Sequence, residues 1–168
     1  ATWALNETPP VDCHGFGGRS GVQDLLGDVF DHNSVVYRYA NGVRLYAFCR
    51  TTPGCYDEGS SIIMGSEGIA YPLRGRITGK NEWQFSGESE SPYVAEHRAF
   101  FQSIRAGQPL NCGDYMARST LVAVMGQLSC YSGRELTWEQ VSKSDYQILP
   151  KPEACTWDMD PPTAPDEH

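Results

Sequence analysis

The sequence predicts an α+β fold: a mainly antiparallel open sheet of about six short strands, helices on one face, and an extended Pro-rich tail. Three observations predict it. Short β-rich runs separated by Gly, Pro and Asn turns fill the first half. Helical periodicity begins abruptly at Ser91-Pro92 and continues through a second, longer pattern. From Pro150 onward prolines crowd a stretch with few aliphatic residues. With 168 residues, one domain over 1–149 and a tail over 150–168 are expected. A chain of that length buries roughly two thirds of its unfolded surface.

Taken in order, ATWALNETPP reads as the last turns of a helix, stopped by Asn6 and Pro9-Pro10, with no start signal. A helix this short does not stand alone in water, so a chain beginning inside a helix is expected. VDCHGF is a short strand closed by a Gly17-Gly18-Arg19 turn. The strongest local signal is Asn41-Gly42 between two β-rich runs, FDHNSVVYRYANGVRLYAFCR. A two-residue turn there sets Tyr39 opposite Arg44, Tyr37 opposite Tyr46, Val35 opposite Phe48 and Asn33 opposite Arg50. One face then carries Tyr37, Tyr39, Tyr46 and Phe48, with Asp31, Asn33 and Arg50 at its open end. The other carries Val36, Ala40, Val43, Leu45, Ala47 and Cys49, and is expected to receive the helices. A three-residue turn with a bulge exchanges the faces of one strand.

Beyond Pro53-Gly54, two short strands at 61–64 and 68–71 flank a Gly65-Ser66-Glu67 turn, and RGRITG and EWQFSG add two more. Ser91 is a fitting N-cap before Pro92. In the helix that follows, Tyr93, His97, Phe100 and Ile104 form one apolar stripe, ended by Gly107 and Pro109. A second helix over 114–131 has Ala117, Leu121, Val124, Met125 and Leu128 as its core stripe, with Ala123 and Gly126 permitting close packing. Ser132-Gly133 stops it. Thr137-Trp138-Glu139-Gln140 is a capping-box pattern for a short third helix.

Charge and motifs narrow the chemistry. A formal net charge of −8 argues against nucleic-acid or anionic-membrane partners, and no apolar run approaches the ~20 residues of a membrane span. The six cysteines (Cys13, Cys49, Cys55, Cys112, Cys130, Cys155) contain no C-x-x-C and match no zinc signature; they read as buried free thiols, with disulfide pairing as the alternative. Gly15–Gly18 leads into no helical pattern, so it reads as a turn rather than a phosphate loop. His14 reads as a structural strand residue and His97 as a core histidine. Asp31 and His32 stand at the polar end of the hairpin beside Arg50. Neighbouring strand residues point to opposite faces, so the two are not expected to act as a dyad. No catalytic or metal-binding set emerges from the chain itself.

The segments GFGGR, GDVFDHNSVVYRYANGVRLYAFCR, YVAEHRAFFQSIRAGQPLN and ARSTLVAVMGQLSCYSGRELTW, in that order, resemble the C-terminal domain of the Gfo/Idh/MocA oxidoreductases. This is the family of glucose–fructose oxidoreductase and inositol dehydrogenase. The resemblance implies a parent with an N-terminal Rossmann domain that binds NAD or NADP, absent from this chain. Residues 1–149 would then shape the substrate pocket and make subunit contacts. The family's cofactor fingerprint and its catalytic Lys, Asp and His have no matching positions here, so none is carried over.

Two functional expectations follow. In the first, the chain is the substrate and oligomerisation domain for a sugar or polyol-like compound and is inactive alone. Arg19, Asp31, His32 and Arg50 then lie near the pocket, where arginine and carboxylate suit hydroxyl or acid groups. The plainer reading of Asp31 and Arg50 is a cross-strand ion pair worth ~0.2–1 kcal/mol. In the second, the chain is a non-catalytic carbohydrate-binding or oligomerisation module. In either, Tyr37, Tyr39, Arg44, Tyr46 and Phe48 are expected at an interface between copies on the open sheet face.

Overall fold

A computed structural model describes residues 1–20, 29–88, 90–147 and 155–159. It resolves into two units, Ala1–Gly54 with Cys112–His168, and Cys55–Asn111. Instead of one sheet of six strands, the described residues form two sheets of four. The expected tail lies almost wholly outside the described residues.

In the first unit, β1 (Asp12–Gly18), β2 (His32–Arg38), β3 (Arg44–Arg50) and β8 (Leu136–Thr137) form an antiparallel sheet in the order β3-β2-β1-β8. Before it, Trp3–Leu5 makes a single 3-10 turn, closed by Asn6 in the left-handed region. Residues Gly15 to Gly18 are strand, which corrects the expected turn. Their glycines serve close approach. A Cβ on Gly15 would meet Cys130 Sγ at 2.8 Å and Ser34 O at 3.0 Å, and one on Gly17 would strike the His32 carbonyl.

The hairpin register differs from expectation by one residue, and the consequence is large. His32 pairs with Arg50 and Arg38 with Arg44. The loop is Ala40-Asn41-Gly42: Gly42 N–H donates to Tyr39 O (3.0 Å), and Tyr39 N–H donates to Val43 O (3.0 Å). Gly42, at φ +84°, takes the left-handed position of a three-residue turn with a bulge. Asn41 Oδ1 accepts from Val43 N–H, stabilising this turn over the two-residue one. The faces of β2 are therefore exchanged and those of β3 are not. Val35, Tyr37 and Tyr39 point into the core, with Leu45 and Ala47 beside them.

α2 (Gly113–Ser132) covers that face, against β1 and β2. Val122, Met125, Gly126, Ser129 and Cys130 are its buried residues, so the seam lies slightly to one side of the expected stripe and Ala117 is exposed. Gly126 leaves room for the Tyr37 ring, whose hydroxyl donates to Val122 O at 3.0 Å. Gly133, at φ +64°, caps the helix. α3 (Trp138–Ser142) carries the expected capping box between Thr137 and Gln140.

The second unit contains β4 (Ile63–Gly65), β5 (Gly68–Tyr71), β6 (Arg76–Gly79) and β7 (Trp83–Gln84), paired antiparallel in chain order. It also contains α1 (Pro92–Ala106), which starts after Ser91 and ends at Gly107 as expected. Its stripe is not core: Tyr93, Phe100 and Ile104 are exposed. His97 is exposed too, its Nδ1 2.7 Å from Tyr93 O, which corrects the core-histidine reading. Periodicity identifies an apolar stripe but does not supply the surface that covers it.

Candidate functional site

The unit-one sheet has a face that α2 does not cover. Its cross-strand rows follow from the register. Gly18, His32 and Arg50 form the first row, then Phe16, Ser34 and Phe48, then His14, Val36 and Tyr46, and finally Asp12, Arg38 and Arg44. Phe16 and Phe48 are 71% and 74% exposed. The last row is ionic: Arg38 holds Asp12 through Nε and reaches Glu135 at 2.7 Å.

The first row is anchored from behind by Asp31. Its backbone N–H donates to Gly18 O (2.9 Å), and its carbonyl accepts from Thr51 N–H (2.9 Å), so both neighbouring strands hold it. Just before it, Phe30 stacks on Tyr131 of α2 at 3.9 Å and donates its N–H to the Tyr131 hydroxyl. The Asp31 side chain is buried, 2% exposed, and accepts from Ser20 N–H at 2.8 Å and the Ser20 hydroxyl at 3.4 Å. His32 Nδ1 lies 2.7 Å from Asp31 Oδ1. The two residues do form a dyad, contrary to the expectation from strand alternation. Asp31 precedes the first paired residue of β2, and the imidazole turns back across that boundary.

All four expected substrate-side residues lie at this end of the sheet. Arg50 is the register partner of His32. Arg19 follows β1 directly and adjoins Ser20. Of the expected interface residues, Arg44, Tyr46 and Phe48 are on the open face, whereas Tyr37 and Tyr39 are buried (4% and 5% exposed). The reason is the three-residue loop. Three contributors had escaped sequence reasoning: Ser20, Gly18 and Phe16. The β1–β2 register brings Gly18 and Phe16 to this end, the bonds to Asp31 bring Ser20, and no motif announces either.

No protein-family profile matches the chain, and no curated protein does. Among solved structures it is similar to UDP-N-acetylglucosamine 3-dehydrogenase GnnA from Acidithiobacillus ferrooxidans, with a TM-score of 0.58 at 17% identity. The likeness covers 77% of this chain but 42% of that one. The chain thus matches less than half of that enzyme's length. At this identity the likeness is one of fold.

Chemistry elsewhere in the molecule is muted. Burial pushes the Cys13 thiol up to about 11, and Cys130 shifts the same way for the same reason. Both remain protonated and poorly nucleophilic near neutrality. Tyr37 is also raised, first by burial. Cys13 and Cys130 are buried as expected, whereas Cys49, Cys55, Cys112 and Cys155 are exposed. Among the described residues no three His, Cys, Asp or Glu side chains cluster as a metal site, and no helix is long and apolar enough to cross a membrane. Unit two has a shallow cavity of about 280 Å³ lined by Glu58, Tyr71 and Arg74. There Arg74 lies over the Tyr71 ring and 3.7 Å from Glu58. Gly15 to Gly18 are strand residues paired with β2.

Proposed function

We propose that this chain is the substrate-shaping and oligomerisation part, residues 1–149, of an NAD(P)-dependent oxidoreductase acting on a sugar or polyol-like compound. The observation that carries the reading is the fold likeness to a sugar-nucleotide dehydrogenase over 77% of the chain. The ordered resemblance to the Gfo/Idh/MocA C-terminal domain points the same way. The nucleotide is held in this reading by a separate Rossmann domain, and this chain contributes no catalytic residue. Arg19, Asp31, His32 and Arg50 face the substrate side, while Arg44, Tyr46 and Phe48 meet a second copy.

Calorimetry on the chain with NADH tests the division of labour. No micromolar binding is expected, and a clear micromolar isotherm would place the cofactor site here and defeat the proposal. The reading frame upstream tests the parent itself. It is expected to encode a Gly-rich βαβ unit followed by a lysine-bearing nucleotide domain, and its absence removes the dehydrogenase assignment. The second reading, a stand-alone carbohydrate-binding or oligomerisation module, draws on the exposed Phe16, Tyr46 and Phe48 on one sheet face. It survives that absence.

A further inference from the structure

We propose that Asp31 and His32 form a preset hydrogen-bonding dyad that holds a hydroxyl of the sugar or polyol-like ligand at the Gly18 end of the open sheet face. This rests on the substrate reading above and assigns its recognition chemistry. A buried carboxylate needs compensating donors, and those of Asp31 include the Ser20 N–H, the Ser20 hydroxyl and His32 Nδ1. An ionised carboxylate can only accept, so Nδ1 carries the imidazole proton. In the neutral ring Nε2 is then a bare acceptor, with its direction set before any ligand arrives. Among the described residues no group hydrogen-bonds Nε2.

The surroundings of that nitrogen favour a hydroxylated ring. His32 lies against Gly18, where even a Cβ would touch Cε1 at 3.4 Å and Nε2 at 3.6 Å. On the other side of His32 in the same row stands Arg50, a charged donor. The next row sets Phe16 beside Ser34, roughly 7 Å further along the strands. A six-membered ring is wide enough to rest its C–H face on a phenyl group while one hydroxyl donates to Nε2. A histidine serving only to pack the sheet needs no buried carboxylate behind it. Fixing the imidazole beforehand also lowers the ordering cost of binding.

Imidazole ¹⁵N spectra of the full chain read the dyad directly. The Nδ1–H tautomer is expected at His32, and the Nε2–H tautomer overturns the inference. Titration with N-acetylglucosamine and with myo-inositol then tests the ligand. A saturable shift of the His32 Nε2 resonance is expected, with apparent affinity falling about tenfold or more in Asp31→Asn, a loss of about 1.4 kcal/mol. Lys143→Ala, at the exposed end of α3 and away from this face, should bind like the wild type. Because Asp31 is buried, a thermal melt checks its variant. His32→Gln, at a half-exposed side chain, carries the same affinity test if Asp31→Asn does not fold. A sugar that binds without moving His32, or no binding by either compound, overturns the dyad's role. The oxidoreductase reading then still stands or falls on the NADH isotherm and the upstream reading frame.

Discussion

At the scale of single residues, the contact between Gly126 and Tyr37 decides how closely α2 approaches the sheet. A Cβ on Gly126 would overlap the Tyr37 hydroxyl, and overpacking of this kind typically costs about 1–3 kcal/mol. Gly126→Ala should therefore lower the urea midpoint. Tyr37→Phe should cost about 1 kcal/mol through the lost bond to Val122 O. The two substitutions touch the same space, so the double variant should be more stable than the sum of the single losses. Strict additivity in denaturation would show that the helix shifts instead. The core thiol yields a second expectation. Cys13 rises on folding from an ordinary 9.0 to about 11, so the folded state holds its proton more firmly than the unfolded chain. The associated stability is full below about pH 9 and is lost as the pH climbs through 11. Tyr37 shifts in the same direction. Melting temperatures should fall over that window, and less steeply in Cys13→Ala. An unchanged slope in that variant would count against the thiol.

At the scale of elements, caps and turns were the features most legible in the sequence. Ser91-Pro92, Gly107, Gly133 and the Thr137–Gln140 box all sit where local rules put them, because each acts within three or four residues. Thr137→Ala removes the acceptor of the Gln140 N–H and should cost about 1 kcal/mol in chemical denaturation. Thr137→Ser should restore it. The central hairpin shows the limit of such rules. Asn41-Gly42 marked the turn correctly, yet Asn-Gly suits two loop lengths. The bond from Val43 N–H to Asn41 Oδ1 accompanies the longer one. One residue of register moved Tyr37 and Tyr39 from an expected outer face into the core.

At the scale of the whole molecule, the exchange of faces reshapes the proposed assembly. The open face keeps Arg44, Tyr46 and Phe48 from the expected interface and gains Phe16, His14 and Val36. If copies meet there, Tyr46→Asp buries a charge with no partner, and light scattering should show the dimer reduced to monomer. A variant that remains dimeric would remove this face from the interface. The candidate site was half legible. Asp31, His32, Arg19 and Arg50 stood out as polar groups at one sheet end, but their cooperation did not. Strand alternation forbids the contact between Asp31 and His32 only inside a regular strand, and Asp31 stands just outside one.

By itself the sequence determined the bounds of the longer helices, the capping box at Thr137 and the place of the central turn, since these depend on neighbours within one turn or one hairpin. Only the tertiary structure decided which side of β2 is buried, that there are two sheets, and that a buried carboxylate orients His32. Those outcomes depend on contacts such as Ser20 with Asp31 and Phe30 with Tyr131, between residues 11 and 101 positions apart in sequence. No local preference specifies a contact of that range.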